Sequence, residues 1–188
     1  MKEQYYLISQ LPDISVSGEK STLPITEKYF KDLCLRFVGN KEASIIENLS
    51  LEPPKKEVKT GSSFLDAWYN HERCLRYALA QIRAQKLKKD IGPIPVSCTA
   101  DIIQAARTAV GMDSPLSAEQ FLYEYRLSVL SNLQPLDIFS IDAVYAYGIK
   151  LLLVQRMKMF NREKGTDSYH KIYDTILGET IWRIQKEK

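Results

Sequence analysis

The segment HERCL, residues 71–75, comes within one residue of a zinc-protease motif. That motif places two histidines four residues apart on a helix, because only this spacing lets both imidazoles reach one metal ion. Here the last position is leucine. His71 and Cys74 could still share a metal, but no further ligand set is apparent, so we expect none. We predict that His71 lies partly exposed on a helix, beside a Glu72 that pairs with Arg76 four residues later.

The other histidine, His170, follows Asp167 by three residues, which resembles half of a carboxylate-bridged di-iron site. Such a site needs two Glu-x-x-His pairs and two more carboxylates facing the inside of a helical bundle. One imperfect half in a chain with two histidines is weak support for metal chemistry. We predict instead that Asp167 begins a helix and that His170 lies in its first turn.

Motifs for covalent or nucleotide chemistry are absent from the sequence. There is no G-x-S-x-G, and the Gly-Ser-Ser of residues 61–63 precedes a helix that Ser63 is suited to cap. Neither of the phosphate-binding motifs, G-x-x-x-x-G-K-[ST] and G-x-G-x-x-G, occurs. We expect no catalytic residue, no cofactor and no metal, so any nucleotide chemistry would belong to a partner.

The spacing of apolar residues predicts an all-α fold. Alternation with a period of two is nearly absent, whereas apolar residues recur every three or four positions between helix caps. Ser63 with Asp66 resembles a capping box for one long helix over 64–89, and Asp137 can cap a second that ends near Gly165. Shorter helices are predicted over 26–38 with Gly39 as a stop, 42–49, 99–110 with Gly111 as a stop, 117–133 from a Ser117 and Gln120 capping box, and from Asp167 onward.

These helices are expected to form a single domain over residues 1–188, an elongated bundle of two long helices with several shorter ones around them. Pro53, Pro54 and Gly61 mark a loop or linker near residues 50–61. The chain is long enough to bury a core without disulfides or metal, and its three cysteines contain no C-x-x-C pair. We see no secretion signal and no membrane-spanning segment, so we expect a cytoplasmic protein.

The charges are distributed in two basic clusters. The net charge of +3 is slight, which makes nucleic acid a less favoured partner. Each cluster ends a long helix, where cations stabilise the helix dipole. If the two clusters met in space, they would form one electropositive end that could dock an acidic partner or anionic lipid headgroups. The clusters are Arg83, Lys86, Lys88 and Lys89, and Arg156, Lys158, Arg162 and Lys164.

Three segments stand out together: YYLISQLPD at 5–13, ERCLRYALAQIRA at 72–84, and YGIKLLLVQRMKMFNREKG at 147–165. They resemble the "YYLxxxLPD" start, the "ERxLRxxLxxxRA" helix and the "YxxKLxxxxRxxxFxxEKG" helix end of a bacterial family. That family is encoded alongside V-type ATPases and is related to their C subunit, the eukaryotic d subunit. The three segments touch the start, middle and end of the chain.

The resemblance implies a helical, funnel-like, C-subunit-like central-stalk subunit, or an accessory protein related to it. Such a subunit links the rotary shaft of a V-type ATPase to the membrane ring of proteolipid subunits. It would catalyse nothing and would lie at the inner face of the membrane, held there by its complex. Full members of the family are longer, with three related helical domains. Eight charged residues on or beside the matching segments are our candidates for docking partners or pairing helices: Arg73, Arg76, Arg83, Lys86, Lys150, Arg156, Glu163 and Lys164.

Two other functions stay open on the sequence. The first is a helical enzyme with a weak metal site at His71 and Cys74, or at His170, for which bound zinc or iron would be the evidence. A helical nucleic-acid-binding protein that uses the basic helix ends would show an affinity that falls steeply with salt.

Overall fold

The computed structural model describes residues 4–15, 23–55, 59–89, 92, 98–160 and 162–186. All regular structure in these residues is helical, which confirms the all-α prediction. None of the helices described there is both long and apolar enough to cross a membrane. The helices of the described residues are α1 (Tyr5–Ser9), α2 (Glu27–Cys34), α3 (Asn40–Glu47), α4 (Ser63–Lys86), α5 (Ala100–Gly111), α6 (Pro115–Leu133), α7 (Ile141–Met159) and α8 (Arg162–Lys186).

The chain divides into two compact units, residues 1–157 and 158–188. The first unit contains α1 to α6 and nearly all of α7, and the second contains α8. The expectation of one domain over 1–188 stays a prediction.

The N-cap of α4 lies one residue before the predicted Ser63. Ser62, rather than Ser63, has extended backbone, and its Oγ accepts a hydrogen bond from the N–H of Leu65 at 3.1 Å. The Asp142 carboxylate of α7 completes this helix start by accepting a hydrogen bond from the Ser62 hydroxyl at 2.6 Å. A carboxylate at a helix N-terminus is stabilised by the unpaired N–H groups there.

Helix α6 begins two residues before the predicted Ser117. Ser114 caps it, and its Oγ accepts a hydrogen bond from the N–H of Ser117 at 3.3 Å. Pro115 then occupies the first helical position, where its missing N–H costs nothing. The predicted end at Leu133 is confirmed.

The second long helix does not reach Gly165. It ends at Met159, and α8 begins at Arg162, five residues before the predicted start at Asp167. His170 therefore lies in the third turn of α8 rather than in its first. Glycine disfavours a helix by only about 1 kcal/mol, and Gly165 lies within α8.

The first of two hydrophobic clusters joins the beginning of α4 to α1, α2, α3, α7 and the end of α6. Trp68 of α4 and Tyr145 of α7 are each 1 % exposed and are the largest side chains in it. Gly148 of α7 allows a close approach, because a Cβ there would lie 2.9 Å from the Phe30 ring of α2. The cluster also includes Leu130 of α6.

The second cluster joins the later half of α4 to α5 and the beginning of α6. Leu75 and Leu79 of α4 lie in it with Leu122 of α6, whereas Leu130 of α6 lies in the first cluster. Helix α6 is therefore antiparallel to α4. Helix α5 is parallel to α4, because the sulfur of Cys98, just before α5, lies 3.6 Å from the carbonyl oxygen of Cys74, while the end of α5 contacts the end of α4.

Candidate docking surface

The C-terminus of α4 and Arg156 of α7 lie at the same end of the first unit. The Lys86 ammonium donates a hydrogen bond to the carbonyl of Val110, at the end of α5. Only three residues separate α5 from α6. In the second turn of α6, the Glu119 carboxylate lies 3.4 Å from the Arg156 guanidinium. The ends of α4, α5 and α7 therefore converge on the beginning of α6.

We call this end of the first unit the basic end. Its cations are exposed, and two carboxylates of the described residues, Asp113 and Glu119, lie at the same end. Three helix C-termini meet here, and cations stabilise the partial negative charge of each. The basic end consists of Arg83, Lys86, Lys88, Lys89, Arg107 and Arg156.

Helix α4 ends in a motif that normally contains glycine. Lys88 has a φ of 53°, its N–H is donated to the Gln85 carbonyl, and the N–H of Lys89 is donated to the Ala84 carbonyl at 2.9 Å. These two hydrogen bonds define a Schellman motif, in which the left-handed residue is usually glycine. A side chain in that conformation costs about 1 kcal/mol. The chain nevertheless keeps a lysine at this point of the basic end.

Arg73 and Arg76 hold a loop against α4. The Arg73 guanidinium donates a hydrogen bond to the carbonyl of Pro54 at 3.2 Å. The Arg76 guanidinium donates to the Glu72 carboxylate at 2.9 Å, which confirms the predicted pair, and to the carbonyl of Leu51 at 3.5 Å. Both arginines were predicted to dock partners or pair helices, and both have contacts that hold the predicted loop near 50–61 against α4.

Arg126 of α6 is a key residue that the sequence reasoning missed. Its guanidinium donates two hydrogen bonds to Glu72, at 2.9 and 2.8 Å, and the Glu72 side chain is only 2 % exposed. Burial lowers the pKa of Arg126, but the hydrogen bonds and charge of Glu72 raise it further, so the guanidinium stays charged. The sequence contained a signal of its burial, because Arg126 lies four residues from both Leu122 and Leu130 and so shares their face of the helix.

His71 takes part in a chain of hydrogen bonds. The Tyr125 hydroxyl donates to the Asp101 carboxylate at 3.3 Å, so its oxygen accepts from His71 Nε2 at 3.1 Å. The neutral imidazole therefore carries its proton on Nε2. Burial lowers the pKa of His71, while burial and Asp101 raise that of Tyr125. The half-buried histidine beside Glu72 is as predicted.

The sulfur-containing side chains contribute no cluster of metal ligands. Among the described residues, no three His, Cys, Asp or Glu side chains lie together so that they could hold a metal ion. Cys34 and Cys74 are buried, and burial raises the pKa of their thiols to about 12 and about 11. Cys98 is half-buried and lies beside Cys74.

Lys150 lies apart from the basic end, in a groove between α6 and α7. The groove has a volume of about 540 Å³, and the segment after α1 forms one of its walls. The hydroxyl of Tyr147 fixes this wall by donating a hydrogen bond to the carbonyl of Pro12 at 2.7 Å. We call it the α6–α7 groove.

Two predicted docking residues, Glu163 and Lys164, fall in the first turn of α8. Their side chains lie outside the described part of the chain. Of the eight predicted residues, the structure thus places Arg83, Lys86 and Arg156 at the same end of the first unit and Lys150 in the α6–α7 groove.

Comparison of this chain with protein-family models, with curated proteins and with solved structures found no match.

Proposed function

We propose that this chain is a non-catalytic docking protein of a V-type ATPase, either a C/d-type central-stalk subunit or an accessory protein related to it. The basic end carries the proposal, because α4 contains one of the three resembling segments and α7 contains most of another, and the two helices place Arg83, Lys86 and Arg156 at the same end of the first unit. The identity of the complex comes from the resemblance of residues 5–13, 72–84 and 147–165. In that complex the protein would be peripheral to the membrane.

The contacts of the most reactive residue types support a role without catalysis. His71 is hydrogen-bonded to Tyr125, and Glu72 is held by Arg76 and Arg126. Tyr125 and Arg126 connect α4 to α6, and Arg76 connects two successive turns of α4. These contacts make the bundle more rigid, because closely packed interiors deform little. A protein that transmits force or holds partners needs such rigidity.

The exposed cations of the basic end suit an acidic partner surface. Arg83 and Lys89 are exposed side chains at the point where α4 ends. Complementary charge speeds encounter and fixes orientation, and opposing like charges weaken a complex by several kcal/mol. Docking through this end should therefore depend on the sign of these two residues.

A pull-down from detergent-solubilised membranes tests the proposal. Tagged protein should retain the shaft and proteolipid-ring subunits of the V-type ATPase through moderate salt, as identified by mass spectrometry. Arg83→Glu combined with Lys89→Glu should reduce the recovered subunits by about tenfold or more, which corresponds to about 1.4 kcal/mol.

The matched control reverses two charges far from the basic end. Lys41 and Lys59 are exposed and lie near the start of α4, where the Lys41 ammonium comes close to Gly61. Lys41→Glu combined with Lys59→Glu makes the same charge change and should leave recovery unaltered. If the ATPase is present in the input and none of its subunits is retained, the proposal is wrong. Retention of RNA or DNA instead would favour the alternative of a nucleic-acid-binding protein.

A further inference from the structure

The α6–α7 groove runs along two turns of each of its helices. On α6 its lining extends from Leu127 to Gln134, and on α7 from Ala143 to Lys150. Each stretch spans about 10 Å at 1.5 Å per residue. Its volume of about 540 Å³ is in the range of binding sites, and the groove is partly open to solvent. The groove therefore offers a short, partly open channel.

The lining combines an apolar floor with two opposite charges. Ile8, Leu11, Leu127 and Leu130 are among its apolar lining residues, and Lys150 and Asp13 supply an ammonium and a carboxylate. Within the described residues neither of these two charged groups forms an ion pair. Lys150 is half-buried, and a charge that loses part of its hydration is stabilised by an opposite charge.

Exposed apolar side chains border the groove. Ile138, which is part of the lining, is 59 % exposed, and Leu136, two residues before it, is fully exposed. Both lie in the short connection between α6 and α7. Large apolar residues that project at the border of an apolar groove are typical of protein interaction sites.

The shape and chemistry of the groove favour a helix over the other occupants. A small ligand would keep an open side, whereas ligand sites usually bury most of the ligand. An extended peptide would bring unpaired backbone N–H and C=O groups against an apolar floor, which is costly. The nearby carbonyl of Pro12 already accepts a hydrogen bond from Tyr147. A helix satisfies its own backbone and presents only side chains.

We propose that the α6–α7 groove receives an amphipathic helix of a partner protein. Its apolar residues, at positions i, i+3 or i+4, and i+7, would fill two turns of the groove, with an acidic residue against Lys150 and a basic residue against Asp13. This inference rests on the proposed function and deepens it, since it names the kind of segment through which a V-type ATPase subunit would bind.

Photo-crosslinking in the full-length protein tests this inference. A benzoylphenylalanine at Ile138 should crosslink, in the solubilised membranes of the pull-down, to a helical partner segment with this pattern. The control carries the same residue at Tyr29, which is 53 % exposed on α2 and does not line the groove. It should give no such product. Lys150→Glu should reduce the Ile138 product about tenfold by opposing the acidic residue.

A second variant guards against a folding defect in Lys150→Glu. Ser131 is exposed at the border of the groove, so Ser131→Arg should fold normally and narrow the channel, with the same loss of product. The inference is overturned if both variants bind the ATPase fully, if the crosslink joins two copies of this chain, or if native mass spectrometry finds a small amphiphile there. A crosslinked amphipathic helix from a protein outside the ATPase, lost in both variants, would support the groove and contradict the proposed function.

Discussion

The carboxylate of Glu72 in α4 accepts two hydrogen bonds from the guanidinium of Arg126 in α6, in a place where the Glu72 side chain is only 2 % exposed. Arg76 donates a third, from the next turn of α4. The pair lies between the two hydrophobic clusters, so it connects α4 to α6 at the level where apolar packing changes from one cluster to the other.

Removing Arg126 should destabilise the first unit strongly. Arg126→Met leaves the buried Glu72 carboxylate with Arg76 alone, so we expect the free energy of unfolding to fall by about 3–5 kcal/mol. Replacing both partners, as in Glu72→Leu with Arg126→Met, should recover most of that loss. Urea unfolding measures both. The exposed pair is the control, since Arg156→Met should change the stability by less than about 1 kcal/mol. A single variant as stable as the wild type would contradict the expectation.

His71 should make the stability depend on pH. Burial lowers its pKa below the ordinary value of 6.5, against the opposite effect of Glu72 and Asp101. As the pH falls, the unfolded chain therefore takes up this proton before the folded protein does. The free energy of unfolding should decrease as the pH falls below 6.5, and this contribution should vanish above it. His71→Gln should remove that part of the slope. His170 is present in both the wild type and His71→Gln. If the free energy of unfolding had the same pH dependence in the two proteins, His71 would not be the source of that dependence.

Gly148 should not tolerate a methyl group. A Cβ would lie 2.9 Å from the Phe30 ring, in a packed cluster, so Gly148→Ala should cost about 1–3 kcal/mol despite the better helix propensity of alanine. Thermal unfolding followed by circular dichroism measures the change. Gly111, at the end of α5, has nothing within 4 Å of its would-be Cβ, so Gly111→Ala should raise stability slightly. Equal effects of the two substitutions would be against this account.

The three thiols should differ in reactivity. Cys98 is half-buried and should be alkylated by iodoacetamide in the folded protein. Cys34 is buried and has a pKa raised to about 12, and Cys74 is buried with a pKa near 11, so both should react only on unfolding, because the thiolate is the nucleophile. Mass spectrometry with and without denaturant gives the order. With Cys98→Ser, a folded protein that still labels quickly would refute the assignment.

The helices were predictable from the sequence because the spacing of apolar residues and the residues that begin or end a helix are local features. Leu133 ends α6 as expected, and Thr26 caps α2, with its Oγ accepting a hydrogen bond from the N–H of Tyr29. The caps of α4 and α6 were misplaced because serine occurs at both the predicted and the observed positions. Asp142, 80 residues from Ser62 in the sequence, accepts hydrogen bonds from the hydroxyls of both Ser62 and Ser63, a contact that no local pattern reveals.

The surface was predictable only in part. The basic ends of two helices were visible in the sequence, but their meeting depends on the parallel course of α4 and α5 and on the Glu119 contact of Arg156. Arg73 and Arg76 looked equivalent to Arg83, yet their carbonyl partners lie in a loop folded back on α4. Arg126 was missed because one sequence does not tell which helix faces which.

The hydrogen bond from Tyr147 to Pro12 joins positions 135 residues apart, which constrains how the chain can fold while it is being synthesised. Leu7 and Ile14, on either side of Pro12, belong to the same cluster as the side chains of α7. They cannot complete this cluster until α7 has left the ribosome. Chain synthesis proceeds at about 5–20 residues per second, so this delay lasts several seconds or more. During it, the nascent chain exposes apolar surface that chaperones recognise.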